Sequence, residues 1–326
     1  MNKMENLLTL NQLRKKSPDI RARNREEFLK KLGIPVLPAE DIRAIRSLLK
    51  KPVRKLSDSD VRSYLRKHKV YITLTSDPER VKILPMMLSL LDTKHVDEIH
   101  VNLPRKYRNE ISYDNSDIKE LKKVPKVRVF RPPKDLGPIT KMLPTLRRIR
   151  DKDAIVISID DDVVYPRGII NEHIYQSIKT PDEITSGDGF SFYDFPETKR
   201  KEGYKVKSMD SWWPQEAAEW PYIDVAEGFS SVAYKKRLVN LKKLDKLNAI
   251  SKFCKLSDDL TINYTLAADG VMRRLIDNKY SRRQYIHPLA MGEEKGLHTQ
   301  TPPGRYWDYN VYKYVECLKG IKESGF

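Results

Sequence analysis

Apolar residues occur in two alternating patterns from residue 70 onward, and these patterns predict strands and helices in turn. Runs rich in β-branched and aliphatic residues at 70–75, 98–103 and 127–130 predict three strands. Residues 154–159 are apolar nearly throughout, which is expected for a strand that is covered on both faces. Alternation of this kind predicts an α/β fold with a mostly parallel central sheet flanked by helices.

Helical spacing of apolar residues lies between and after these strands. The segments 81–91 and 143–150 each predict a helix, although Pro85 should kink the first or break it early. A further helix is predicted after Ser257, where apolar residues recur about one turn apart: Leu260, Tyr264, Ala268 and Met272.

The first 68 residues have a different pattern and predict a basic helical appendage to an α/β domain at 69–326. They contain helical stretches joined by proline-containing turns. The chain has a net charge of +17, and residues 1–70 carry +11 of it, from 19 Lys and Arg against 8 Asp and Glu. Such charge can attract an anionic membrane, an acidic protein or nucleic acid, or it can be a solvated helical face.

Cysteine content and hydropathy indicate the compartment. Cys254 and Cys317 are the only cysteines, so the sequence allows at most one disulfide bridge, and a reducing compartment is the natural interpretation. The N-terminus lacks the apolar core of a signal peptide, and no run reaches the ~18 apolar residues of a membrane span. We therefore expect a soluble, cytoplasmic protein.

Three consecutive aspartates, Asp160, Asp161 and Asp162, directly follow the most hydrophobic predicted strand. Adjacent carboxylates repel one another, and a divalent cation relieves that repulsion. On an extended segment residues i and i+2 point the same way, so Asp160 and Asp162 are expected to address one site while Asp161 faces elsewhere. Ligands of α/β sheets bind beyond the carboxyl ends of strands, which favours a Mn²⁺ or Mg²⁺ site here over a solvated turn.

The segment from Asp135 to Lys141 lies between a predicted strand and a predicted helix. Gly137 permits a tight turn and a close approach of a ligand to the backbone. Thr140 and Lys141 supply a hydroxyl and a cation near a helix N-terminus, where a phosphate is favoured. An ordinary strand-to-helix turn would have a similar sequence.

Together these segments resemble the GT-A fold glycosyltransferases, whose sheet is Rossmann-like, from Tyr71 to about His298. Residues 72–76 with Pro78, Glu79 and Arg80 resemble the first strand and following helix of that family, and the aspartate triplet resembles its DxD motif. The similarity continues in the donor-binding turn, the loop bordering donor and acceptor, and the acidic helix start, which correspond to residues 135–141, 227–234 and 257–260.

The resemblance implies a role for each matching residue. Asp160, Asp162 and a late histidine, His298, would hold the metal. Asp259 or Asp258 would be the catalytic base if the reaction inverts stereochemistry, whereas retention requires no such base. The donor-binding residues implied are Thr73, Thr75, Arg80, Asp135, Gly137, Lys141, Asp160, Asp161 and Gly228.

The implied activity is metal-assisted transfer of a sugar from a nucleotide-sugar donor, such as a UDP- or GDP-sugar, to an acceptor hydroxyl. A glycan or glycoconjugate acceptor is expected, with docking on a membrane or protein through the basic N-terminus. A nucleotidyltransferase that makes nucleotide sugars is a second hypothesis, but the glycine-rich loop of that class is missing at 75–78. A nucleic-acid-binding protein is a third, although no binding motif supports it.

Overall fold

The computed structural model describes the greater part of a single compact unit, Ala44–Phe326; a second unit, Met1–Arg43, lies outside the described residues. The described residues are Ser47, 49–108, 110–190, 222–276 and 308–325.

An eight-stranded sheet forms the centre of this unit, in the order β3-β2-β1-β4-β9-β5-β10-β7. Six strands point in one direction, and β9 and β7 run against them. Their bounds are β1 Val70–Leu74, β2 Glu98–Asn102, β3 Val127–Phe130, β4 Ile155–Ser158, β5 Glu183–Ser186, β7 Tyr222–Ile223, β9 Val232–Lys235 and β10 Met272–Leu275. A separate two-stranded sheet pairs β6 Gly189–Phe190 with β8 Val225–Ala226. The predicted α/β fold with a mostly parallel sheet is therefore confirmed.

Helices pack on both faces of the sheet. Within β4, Ile155 and Ile157 belong to one apolar cluster, whereas Val156 belongs to a second cluster on the opposite face. This explains why the strand is apolar at every position. The helices are α1 Ser59–Lys67, α2 Leu84–Ser89, α3 Asn115–Leu121, α4 Leu143–Arg148, α5 Ile169–Lys179, α6 Leu241–Ala249, α7 Lys252–Lys255, α8 Asp258–Ala268 and α9 Asp308–Glu323.

The three predicted helices differ from the structure in extent, although the helix predicted at 143–150 differs only in ending at Arg148. The segment at 81–91 is divided into a 3₁₀ turn, Val81–Ile83, and α2, with Pro85 in the first turn of α2, where a missing N–H costs least. The helix after Ser257 ends at Ala268, so Met272 lies in β10 and not on the helix. Gly270 stops the helix because its φ of 71° reverses the chain.

Part of the predicted N-terminal appendage packs on the α/β domain. Leu56 and Val61 are buried in the apolar cluster on one face of the sheet. Arg54 pairs with the fully buried Glu172 of α5, with Nε 2.6 Å from Oε2. Residues 1–46 lie outside the described residues, and the functional division at residue 68 stays a prediction.

The two cysteines are joined. A disulfide links Cys254 of α7 to Cys317 of α9, which is the one bridge that the sequence allows. In the part of the chain that the structure describes, no helix is both long and apolar enough to cross a membrane.

Candidate active site

Lys141 joins two groups of carboxylates at the edge of the sheet where β4 ends and α8 begins. Its Nζ lies 3.1 Å from Asp160 Oδ1 and 3.2 Å from Asp258 Oδ2, and its side chain is only 8% exposed. Burial by itself would lower the pKa of Lys141, but the charges of Asp160, Asp258 and Asp259 outweigh it and hold the pKa well above its usual value. This cation is therefore permanently charged and is shared by both groups.

Gly137 fixes the turn that carries Lys141. Its φ of 79° lies in the region that favours glycine, and an added Cβ would stand 2.5 Å from the carbonyl oxygen of Lys255. Asp135 stabilises the same turn, because its Oδ1 accepts the N–H of Gly137 at 2.8 Å and its Oδ2 accepts the N–H of Arg108 at 2.7 Å. The segment that approaches Gly137 closely is the end of α7, and the predicted close approach of a ligand there stays a prediction.

Buried hydroxyl and amide groups form hydrogen bonds with the backbone of Lys141. The Thr73 hydroxyl donates to the carbonyl oxygen of Lys141, and Asn102 Nδ2 donates to the same oxygen at 3.2 Å. Thr75 Oγ1 donates to the carbonyl oxygen of Asn102 at 2.7 Å. In this structure Thr73 and Thr75 therefore position the lysine turn, and their predicted contact with the donor stays a prediction.

The aspartate triplet is divided between two cations. Asp161 is 5% exposed, whereas Asp160 and Asp162 are 28% and 23% exposed. Asp160 pairs with Lys141, but Asp162 Oδ2 accepts a hydrogen bond from Arg80 Nη1 at 2.8 Å. Asp161 does not stand apart from Asp162, since Arg80 contacts both side chains. The expectation that Asp160 and Asp162 address one metal site stays a prediction. Strand β4 ends at Ser158, so strict alternation does not extend through the triplet.

Arg80 is the second cation of the site. Besides Asp162, its Nε lies 2.9 Å from Asp77 Oδ2 and 3.0 Å from Asp161 Oδ2. Burial would lower the pKa of Arg80, but the neighbouring carboxylates reverse this effect and raise it. Burial also raises the pKa of Asp161 to about 7, despite the opposing charge of Arg80 and a hydrogen bond from Ser76.

The two aspartates at the start of α8 differ in their contacts. Asp258 faces Lys141, whereas Asp259 Oδ1 accepts the backbone N–H of Gly228 at 2.9 Å. Burial, and then the charge of Asp258, raise the pKa of Asp259 to about 7, against the attraction of Lys141. A carboxylate with this pKa is suited to accept a proton near neutral pH.

Gly228 packs closely against the side chains of Lys141 and Asp259. A Cβ on this residue would lie 2.8 Å from Asp259 Oδ1 and would also strike Lys141 Nζ. The predicted donor-binding role of Gly228 stays a prediction, but any side chain here would displace the ends of Lys141 and Asp259.

Sequence reasoning missed Tyr165, Lys313 and Tyr314. Tyr165 accepts the N–H of Asp160 and donates to the carbonyl oxygen of Phe229, each at 2.8 Å, and so ties the triplet to the turn after β8. Lys313 and Tyr314 lie on α9, and burial followed by the charge of Asp259 raises the pKa of Tyr314. No local signal identifies these residues, because only the fold brings them to the site.

The described residues fit a cation that takes few protein ligands. Among them, no group of three or more His, Cys, Asp and Glu side chains is placed to hold a metal ion, and His298 lies outside the described residues. Asp160 and Asp162 offer partly exposed carboxylates at one edge of the sheet. Such a donor set suits Mg²⁺ or Mn²⁺ that is also bound by a substrate's phosphates.

Searches with the sequence find no matching protein-family model and no matching curated protein. Among solved structures, the chain is similar to the mannosyltransferase PcManGT from Pyrobaculum calidifontis in complex with GDP-Man and Mn²⁺ (13% identity, TM-score 0.39, covering 86% of this chain and 80% of that chain). It is also similar to glucosyl-3-phosphoglycerate synthase from Mycobacterium tuberculosis with Mn²⁺, UDP-Glc and phosphoglyceric acid (13%, 0.43, 82% and 85%). GalNAc-T7 with UDP, GalNAc and Mn²⁺ is a third such structure (12%, 0.43, 74% and 52%).

These neighbours are glycosyltransferases, the class that the sequence resemblance implies. Their TM-scores are all below 0.5, so these similarities carry no argument about the activity of this chain.

Proposed function

We propose that this protein transfers a sugar from a nucleotide-sugar donor to an acceptor hydroxyl with the help of Mn²⁺ or Mg²⁺. The observation that carries the proposal is the position of Lys141, which is buried between Asp160 at the end of β4 and Asp258 at the start of α8. Sugar transfer from a nucleotide with inversion needs a charged site for the diphosphate and a base for the acceptor within reach of one carbon atom. The aspartate triplet and the aspartate pair, which Lys141 joins, match these two requirements.

On the donor side, Asp160 and Asp162 would hold the cation, and Arg80 and Lys141 would face the diphosphate. A bound divalent cation would act as a Lewis acid that offsets the negative charge growing on the departing nucleoside diphosphate. Lys141 adds a permanent charge next to that position because its pKa is raised. We propose His298 as a further ligand, on the family resemblance alone.

On the acceptor side, Asp259 would deprotonate the attacking hydroxyl, which favours an inverting reaction. Its raised pKa makes it a stronger base than an ordinary aspartate, and its Oδ1 is oriented by the Gly228 N–H. Asp258 would act differently, because it neutralises Lys141 and increases the basicity of Asp259 by repulsion. Transfer would therefore deliver the proton of the acceptor to Asp259 as the new glycosidic bond forms.

The finer features of the activity are proposals from the sequence. The donor would be a UDP- or GDP-sugar, and the acceptor a glycan or glycoconjugate in surface glycan synthesis. The basic N-terminal segment would dock the enzyme on an anionic membrane or a partner protein. A cytoplasmic location is proposed as well. The Cys254–Cys317 bond would be unusual in that location, because disulfides are uncommon in that compartment.

Product analysis tests the proposal. Purified protein is incubated with UDP- and GDP-sugars, a pool of sugar and glycolipid acceptors and Mn²⁺, and the released nucleotide is separated by ion-exchange chromatography. We expect metal-dependent release of a nucleoside diphosphate, and loss of that release in Asp162→Asn. Asp182→Asn is the matched control, since its side chain is 78% exposed and precedes β5 at the opposite edge of the sheet.

Two results would contradict the proposal. Full turnover in Asp162→Asn would show that the triplet does not hold the metal. Formation of pyrophosphate, from a nucleoside triphosphate and a sugar phosphate, would identify a nucleotidyltransferase instead.

A further inference from the structure

Arg80 forms an ion pair with Asp162, a carboxylate that the proposed function assigns to the divalent cation. Its Nη1 donates to Asp162 Oδ2 at 2.8 Å, while its Nε lies 2.9 Å from Asp77 and 3.0 Å from Asp161. One guanidinium therefore contacts three carboxylates from two separate segments of the chain. A residue that only neutralised the buried Asp161 would not need to reach the more exposed Asp162.

Ion pairs on the Nε side hold the guanidinium in place, although Nε itself has no aligned hydrogen-bond acceptor among the described residues. Asp77 accepts the backbone N–H groups of Glu79 and Arg80, each at 2.9 Å, and so shapes the turn from which Arg80 projects. Asp161 is almost fully buried and accepts a hydrogen bond from the Ser76 hydroxyl. With these contacts fixed, Nη1 is presented to Asp162 at the rim of the site.

A divalent cation on Asp162 would meet this anchored positive charge. The two cations would compete for the lone pairs of one carboxylate, and they would repel each other strongly because the site is partly buried. The repulsion is offset only when more negative charge enters. A nucleotide diphosphate brings that charge, and a guanidinium binds phosphate oxygens through two parallel hydrogen bonds.

We infer that Arg80 makes binding of the divalent cation depend on the nucleotide, because it holds Asp162 until a diphosphate supplies charge for both cations. The inference rests on the proposed function for the identity of the diphosphate. By linkage, the cation must raise nucleotide affinity by the same factor by which the nucleotide raises cation affinity. Arg80 is a positioning residue in this role, and it couples two ligands without touching the transferred sugar.

Calorimetric titration of Mn²⁺ into the full chain, with and without UDP or GDP, tests the inference. We expect Arg80→Gln to bind Mn²⁺ alone about 10-fold more tightly than the natural protein, and the strengthening of Mn²⁺ binding by nucleotide to fall by a similar factor. Arg80→Lys keeps a positive charge and should stay close to the natural protein. Arg128→Gln is the control, since it removes an exposed cation of β3 that pairs with Glu98.

Equal or weaker Mn²⁺ binding by Arg80→Gln without nucleotide would overturn the inference, as would undetectable Mn²⁺ binding in every variant. A second variant, Arg80→Gln with Asp161→Asn, removes the buried ion pair as a whole and gives the same test if the single variant does not fold. If neither nucleotide binds to any variant, the proposed function fails, but the titration with Mn²⁺ alone still decides whether Arg80 competes with the cation.

Discussion

The aspartate triplet after β4 and the aspartate pair at the start of α8 lie at the same edge of the sheet, but their charges are arranged in opposite ways. In the triplet, the two more exposed carboxylates, Asp160 and Asp162, each have a cation, and the raised pKa belongs to the buried Asp161. In the pair, the buried Asp258 has the cation, and the raised pKa belongs to Asp259, at the more accessible position.

The two arrangements allow one residue type to serve two purposes. The partly exposed carboxylates of the triplet, which lie next to Lys141 and Arg80, suit the binding of a metal and a diphosphate. A carboxylate that is partly buried and also close to a like charge, as Asp259 is, becomes a base near neutral pH. Lys141 lies between the triplet and the pair and forms an ion pair with one aspartate of each, Asp160 and Asp258.

The largest expected effect is on proton transfer. Asp259→Asn should lower kcat by about 10²- to 10⁴-fold with little change in the KM of the donor, because it removes a base that acts only in the transition state. Asp161→Asn removes the other aspartate with a pKa of about 7 and should alter the dependence on donor and Mn²⁺ instead. Steady-state rates of nucleoside diphosphate release check both variants, and equal losses of kcat would remove the distinction between the two groups.

Gly228→Ala should have the next largest effect. The added methyl group would press on Lys141 Nζ and Asp259 Oδ1, so we expect kcat to fall by roughly 10- to 100-fold through misplacement of the base. Gly270→Ala is the matched control, since that residue has open space around it and a φ of 71°. The control should lose about 1 kcal/mol of unfolding free energy and keep its activity; full activity of Gly228→Ala would show that the two groups are not in close contact.

The next largest effect is expected in the pH dependence of kcat/KM, which distinguishes the aspartate pair from the triplet. Because Asp259 must be deprotonated to act as a base, kcat/KM should fall about tenfold per pH unit as the pH drops below about 7. Asp258→Asn removes the nearest like charge, which lowers the pKa of Asp259 and moves this limb to lower pH. Initial rates from pH 5 to 9 in both proteins check this, and an unshifted limb would assign the titration to another residue.

Reduction of the disulfide should have the smallest effect on activity. The bond holds α9, which carries Lys313 and Tyr314, against the helices that lead to the acidic pair. A Cys254→Ser, Cys317→Ser double variant should lose roughly 2–4 kcal/mol of unfolding free energy and lower kcat a few-fold. Calorimetric nucleotide affinity should change less than kcat, since the aspartates whose charges act on Lys313 and Tyr314 are those of the pair and not those of the triplet; a selective loss of nucleotide affinity would contradict the division of roles.

The sequence was sufficient to predict the architecture because local patterns carry it. Continuous apolar residues at 154–159 reflect a strand that is covered twice, and the structure confirms β4 there. The extent of the helices was less predictable, since Gly270 ends α8 before Met272 despite the helical spacing.

The candidate site was predicted as a set of separate motifs, but not as a set of contacts. Lys141, Asp160 and Asp258 were identified individually from their positions at ends of elements. Their meeting depends on the antiparallel insertion of β9 and on the packing of α7 against Gly137, and no local pattern encodes either. For the same reason the hydrogen bonds of Tyr165 to Asp160 and Phe229, and the position of Lys313 and Tyr314 on α9, could not be predicted.

The proposed division between metal site and base can be seen in a crystal structure with Mn²⁺ and the donor nucleoside diphosphate, with data collected at the manganese absorption edge. We expect one anomalous peak at coordination distance from Asp162, with the diphosphate between that peak and Lys141 and the side chain of Asp259 facing the space beyond the terminal phosphate. A manganese peak remote from the triplet, or a nucleotide bound away from Lys141, would contradict it.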